Sequence, residues 1–155
     1  MAFMQVSRKV DYALRAVIHL ANDEHRPRAC SVPEIADRER IPKQFLEKII
    51  RDLIRTGLVR SRRGPHGGYV LARPAEEVTF RHVIEAVEGP ISLNVCVGEH
   101  AECFLLGACG MNRVWAEGQR RVMDLFQNTT IASVRHPPLG PSGQMEPEYS
   151  RSEGV

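Results

Sequence analysis

Apolar positions along this chain recur at helical spacing in some stretches and alternate in others, and the two periods predict different elements. Val10, Ala13, Leu14, Val17, Ile18 and Ala21 share one face of a helix over about Lys9–Asn22, with Asp11 and Arg15 off that face. Asn22–Pro27 ends it. Ser31-Val32-Pro33-Glu34 has the form of a capping box, with proline in the tolerant first turn, and opens a short second helix over about Val32–Arg38. After a turn of about three residues, Ile41-Pro42 starts a third helix that runs to about Thr56. Its predicted apolar stripe is Phe45, Leu46, Ile49, Ile50, Leu53 and Ile54, and Gly57 stands where a left-handed terminator is needed.

Two short strands follow, Leu58–Arg62 and Tyr69–Ala72, joined by the glycine-rich turn Arg63-Gly64-Pro65-His66-Gly67-Gly68. Thr79 is a predicted N-cap for a fourth helix carrying Val83, Ile84 and Val87 and closed by Gly89-Pro90. Periodicity lapses from Ile91 to Gly110. It resumes in Met111, Val114, Trp115, Val122, Leu125 and Phe126, an apolar face too large to leave in water on a long helix. A last short turn over Ile131–Val134 precedes a Pro-, Gly- and Glu-rich tail expected to be flexible. The expected architecture is mainly α with a small β-hairpin wing: a winged helix-turn-helix in residues 1–76, a cysteine-bearing loop and long C-terminal dimerisation helix in 77–134, and the tail in 135–155.

Composition narrows the class. The 155 residues, 43% hydrophobic and 26% charged, suit one domain or a small domain with an appended element. No apolar run approaches the ~18 residues of a membrane span. The N-terminus lacks the basic-then-apolar order of a signal peptide, so a cytoplasmic location is expected. The net charge of +2 is uninformative until it is mapped. Between Arg38 and Arg63 nine basic residues face three acids, a local +6, which leaves −4 for the remainder. A basic helix in a helix-turn-helix outline, followed by a hairpin tipped with Arg62, Arg63 and His66, points to nucleic acid. The recognition helix lies in a major groove while the wing reaches a neighbouring one, and a twofold dimer suits a palindromic double-stranded operator.

The four cysteines divide unevenly. Cys96, Cys103 and Cys109 form a C-x6-C-x5-C segment, while Cys30 stands alone beside the Ser31 cap as a small apolar filler. In a reducing compartment a disulfide framework is disfavoured, and three thiolates in one glycine-containing stretch can converge on a metal centre. An iron-sulfur site is chemically reasonable. Zinc is the lesser metal reading, because neither interval matches a zinc knuckle, and a metal-free thiol switch is a further alternative. Three cysteines leave one position open, for which His100, Glu99, Glu102, Asn112 and Asp11 are candidates.

These motifs together resemble the iron-sulfur winged-helix regulators that include IscR, NsrR and RirA, the Rrf-two family. The resemblance covers about Gln5 to Val134. It rests on Val10-Asp11-Tyr12-Ala13-Leu14-Arg15-Ala16, Ile41–Ile49, Gly57–Tyr69, Val83–Pro90, the three cysteines and Thr130-Ile131-Ala132. It implies a homodimeric transcription regulator, expected to act as a repressor, with crossing C-terminal helices and a 4Fe-4S or 2Fe-2S cluster that senses redox, nitric oxide or iron status. Cys96, Cys103 and Cys109 match the cluster cysteines. Where IscR has a completing histidine this chain has Asn112; where NsrR uses an aspartate from the partner's first helix, Asp11 stands. Asp11 is therefore the expected fourth ligand, with His100 as runner-up. The family pattern puts base contacts at Gln44, Glu47 and Arg63, which suits glutamine for adenine, glutamate for cytosine N4 and arginine for a narrow minor groove. Lys43, Lys48, Arg51 and Arg62 are expected to hold phosphates, with His66 at the wing tip.

The competing readings are a zinc- or thiol-based regulator of the same fold, and a non-regulatory cluster carrier with a basic face for a protein partner. A carrier does not need the wing. No Ser-His-Asp arrangement, phosphate loop or paired carboxylate pattern is recognisable, so no enzymatic activity is expected, and His19, His82 and His136 read as core or surface histidines.

Overall fold

The computed structural model describes residues 6–22, 29–98, 101–105 and 108–135. Five helices and one hairpin follow in the order α1 (Arg8–Asn22), α2 (Val32–Glu39), α3 (Lys43–Arg55), β1 (Val59–Arg62), β2 (Gly68–Leu71), α4 (Phe80–Glu88) and α5 (Asn112–Asn128), with a 3-10 turn at Ala132–Val134. The predicted elements are all present, and their bounds differ from expectation by one or two residues. Among the described residues no helix is long and apolar enough to cross a membrane.

The helix ends show why the chain folds locally as it does. Ser31 Oγ accepts from the Glu34 backbone N–H at 3.4 Å. α2 closes through Arg40, the one non-glycine residue described with a positive φ (51°), as the Ile41 N–H reaches back to the Ala36 carbonyl at 2.9 Å. This is a Schellman-type stop, and it turns the chain sharply into α3. Pro42, expected near the first helical position, instead stands just outside α3, where its missing N–H costs no helical hydrogen bond. Gly57, at φ 72°, ends α3 as expected.

One apolar core joins α1, α2, α3, the hairpin, α4 and the last turn. Ile35, Leu46, Ile49, Ile50, Leu53, Leu58, Val83 and Ile131 are among its fully enclosed side chains. Enclosing each large one contributes roughly 1.5–3 kcal/mol of hydrophobic stabilisation. The core crosses residue 76: Val83, Ala86, Val87 and Ile131 belong to the same cluster as Leu46 and Leu53. Three backbone bonds fasten the end of the chain's described part to the first residue of α4 and the loop before it. They run from Phe80 N–H to the Thr129 carbonyl (3.0 Å), Ile131 N–H to Val78 (2.7 Å) and Ala132 N–H to Ala75 (3.1 Å). The 6.1 Å spacing of the Phe80 and Phe126 rings adds an aromatic contact.

The apolar stripe expected on α3 is narrower than its sequence pattern. Leu46, Ile49, Ile50 and Leu53 are buried, but Phe45 and Ile54 remain 52% and 39% exposed. Phe45 lies at the edge of the stripe and packs edge-to-face on Tyr12 of α1, with ring centroids 6.2 Å apart. α5 differs more. It has no buried residue, and Met111, Val114 and Leu125 are 64%, 71% and 62% exposed.

Candidate nucleic-acid interface and cysteine segment

Burying Leu46, Ile49, Ile50 and Leu53 forces the opposite side of α3 outward. Lys43, Gln44, Glu47, Lys48 and Arg51 are all exposed there. Lys43 and Glu47 are 4.0 Å apart, and Arg51 Nε donates to the Glu47 carbonyl at 3.3 Å. Two of the three acids that dilute the basic segment are turned away from this face. Glu39, with a side chain only 12% exposed, accepts from the His19 ring at 2.9 Å and lies 3.8 Å from Arg15. Asp52 is bound by Lys9 at 2.9 Å and by Arg55 at 3.1 Å. Tertiary pairing thus makes the outer surface more basic than the residue count implies.

The wing is a two-stranded antiparallel ribbon with Val59 opposite Leu71 and Arg62 opposite Gly68. Arg62, Arg63 and His66 are exposed at its tip. Its far edge is not free, because Cys30 and Tyr69 exchange backbone hydrogen bonds at 3.1 and 2.8 Å. Cys30, expected as a filler, is indeed buried; the sequence offered no sign that its backbone would extend the ribbon. Gly68 makes this approach possible. Its φ is 154°, and a Cβ there would lie 2.5 Å from the Cys30 carbonyl oxygen. The segment before α2 therefore braces the wing against the helix-turn-helix.

His82, expected as a core or surface residue, is half-buried and belongs to the cap of α4. Its Nδ1 accepts from the Thr79 backbone N–H at 3.1 Å, while Thr79 Oγ1 accepts from the His82 N–H at 3.3 Å, a complete capping box. Burial, then Arg73 and Arg81, hold its pKa below 6.5, with Glu85 opposing. On α5, hydrogen bonds from Arg120 and Arg121 hold the Glu117 carboxyl down at about 2. Arg120 also binds Asp124 at 2.8 Å, so this face of α5 is a charged ladder.

The three clustered cysteines are all half-buried. Cys96 follows a loop held to α5, Cys103 lies in irregular backbone, and the Cys109 carbonyl accepts from the Asn112 N–H at 3.2 Å as α5 begins. As a donor set, three soft thiols fit iron-sulfur or zinc. Yet among the described residues no three His, Cys, Asp or Glu side chains form a group that could hold a metal ion. Asp11 projects from α1 with its side chain 58% exposed and Arg15 3.5 Å away. His100 lies outside the described residues.

Known proteins share this fold. The Rrf2 family, described as an iron-dependent transcriptional regulator, matches residues 6–137. An rrf2-like HTH-type transcriptional regulator of Rhodobacter capsulatus is 36% identical over 136 residues, covering 83% of this chain and 91% of that protein. An HTH-type transcriptional regulator of Aquifex aeolicus is 34% identical over 133 residues, covering 84% and 91%. Among solved structures, CymR, the global cysteine regulator of B. subtilis, is similar with TM-score 0.71 and 27% identity over 86% of this chain and 97% of that one. T. potens IscR is similar with TM-score 0.70 and 27% identity over 84% and 85%. With its basic helix, braced wing and family match from end to end of the described region, this chain belongs to the Rrf2 family of DNA-binding, winged helix-turn-helix transcriptional regulators.

Proposed function

We propose that this regulator binds a palindromic double-stranded operator as a homodimer, as a repressor, and that an iron-sulfur cluster held by Cys96, Cys103, Cys109 and Asp11 governs its affinity. The observation that carries the reading is the pairing of three half-buried thiols with the adjoining α5, which buries none of its side chains within one chain. An apolar helix face left open in this way is what a second copy covers. A dimer also supplies the means to complete the donor set, with Asp11 contributed across the interface. When bound, the cluster supplies a centre that reacts with oxidants or nitric oxide, or is lost when iron is scarce.

The remaining parts follow from residues of this chain. Lys43, Lys48, Arg51 and Arg62 hold phosphates, Gln44 and Glu47 meet base edges, and Arg63 and His66 enter the neighbouring groove. Residues 1–76 carry this contact, and 77–134 carry the thiols and the dimer helix. A carboxylate at Asp11 is a hard ligand among soft ones and exchanges more readily than a thiolate. Its release would free the loop from Val95 to Gly110 from α1 of the other subunit and change the spacing of the two α3 helices.

A second reading, a zinc- or thiol-based regulator of the same fold, is favoured by the likeness to a cysteine regulator and by the absence, among the described residues, of a gathered group of three ligands. Anaerobic purification with absorption spectroscopy and iron, sulfide and zinc analysis separates the two. The cluster reading expects a coloured protein with matched iron and sulfide. A colourless protein with stoichiometric zinc, or equal operator affinity of loaded and cluster-free protein at one fixed salt concentration, overturns it.

A further inference from the structure

Residues 91–98, which carry Cys96, contain no helix or strand, yet their backbone is held at defined points by α5. Gln119 applies both ends of its amide to this segment. Its Oε1 accepts from the Leu93 N–H at 2.9 Å, and its Nε2 donates to the Ile91 carbonyl at 2.7 Å. Two turns earlier on the same face of α5, Asn112 Nδ2 donates to the Cys96 carbonyl at 3.3 Å. The Asn112 backbone N–H donates to the Cys109 carbonyl, so one residue joins the backbones of the first and third cysteines.

We propose that Asn112 and Gln119 are positioning residues, a clasp that fixes Cys96 beside Cys109 at the start of α5 before any metal or cluster is bound. The chemistry suits the task. A side-chain amide offers one donor face and one acceptor face, as a peptide unit does, so Gln119 substitutes for a missing strand partner. Both amides are neutral and weak metal ligands, so they hold the backbone without competing with the thiolates. Cys103 is tied less directly, through the Glu102 N–H to the Val95 carbonyl at 3.1 Å. The backbones at Cys96 and Cys109 are therefore preset, while Cys103 lies outside the clasp. The purpose of the clasp rests on the proposed ligand role of the cysteines; its existence does not.

The test uses the full-length, metal-free protein. In Gln119→Leu the Leu93 amide is expected to exchange with deuterium about tenfold faster, and in Gln119→Glu, which keeps the acceptor and loses the Ile91 donor, by an intermediate factor. In Asn112→Ala, iodoacetamide labelling of Cys96 read by mass spectrometry is expected to quicken about fivefold, with Cys103 unchanged. Core amides such as those of Leu46 and Val83 are expected to keep their wild-type exchange, which a general loss of stability would not allow. Wild-type Leu93 exchange in both Gln119 variants, or equal quickening at all three cysteines, overturns the clasp. If Asn112→Ala does not fold, the Gln119 variants decide. Iron and sulfide content of the reconstituted wild type is a separate arm. A wild type that takes up neither removes the cluster reading and leaves the exchange result standing; if it does load, Gln119→Leu is expected to lose iron to a chelator about fivefold faster.

Discussion

The winged module and α5 carry similar apolar patterns and meet opposite fates. In α1, α3 and α4 the apolar stripe finds partners within the chain, and Ala13, Leu46, Leu53 and Val83 are fully enclosed. Among the described residues, α5 is covered at the end nearest Phe80 and on the face under residues 91–96, and Val114 and Leu125 are left exposed. The contrast teaches that amphipathicity predicts a helix and a buried face but not which molecule buries it. The same signal reports a core in one region and an unpartnered surface in the other.

The largest expected effect sharpens this contrast directly. Leu46→Ala should cost about 2–5 kcal/mol in denaturant unfolding, because it empties a site with no exposed surface. Val114→Ala with Leu125→Ala should leave the unfolding of dilute protein within ~1 kcal/mol of wild type and weaken self-association measured by sedimentation. Comparable losses in dilute protein would erase the distinction. Next comes Gly68→Ala, expected to cost roughly 2 kcal/mol and to loosen the wing, since the new Cβ meets the Cys30 carbonyl at 2.5 Å. Protection of the Tyr69 amide reports it. Thr79→Ala removes one half of the α4 capping box and should cost about 1 kcal/mol by thermal or denaturant melting.

Smallest is a pH effect. His82 has a folded-state pKa below its ordinary 6.5, so the unfolded chain binds the proton more readily. Its contribution to stability is complete above pH ~6.5 and declines as pH falls from there through the folded value, because burial and the nearby Arg73 oppose the charged ring, and a protonated Nδ1 cannot accept from Thr79. Denaturant midpoints across that window should fall with acid in wild type and fall less in His82→Asn. An unchanged slope would detach the ring from the cap.

Much of the fold was legible because its signals are local. Ser31 and Thr79 announce helix starts, Gly57 and Gly89 announce ends, and the glycine-rich turn between two short apolar runs announces the wing. Three features were not legible. Phe45 reads as core because a helical period cannot tell the centre of a stripe from its edge, and the structure leaves it half-exposed with its ring against Tyr12. Glu39 and Asp52 read as diluting the basic face, and only their pairing with His19, Arg15 and Lys9 removes them from it. Asn112 reads in the sequence as one candidate for the open fourth position and as a poor replacement for histidine, yet in the structure it connects Cys96 to Cys109.

The sequence by itself determined the order of elements, the basic helix with its hairpin, and the presence of three thiols in one segment. Each depends on residue type and spacing along a few turns of chain. Tertiary structure alone decided which charges face outward, which apolar face remains open, and how amides on α5 hold the loop bearing Cys96. Those outcomes depend on contacts between residues far apart in sequence, where no local period carries the information.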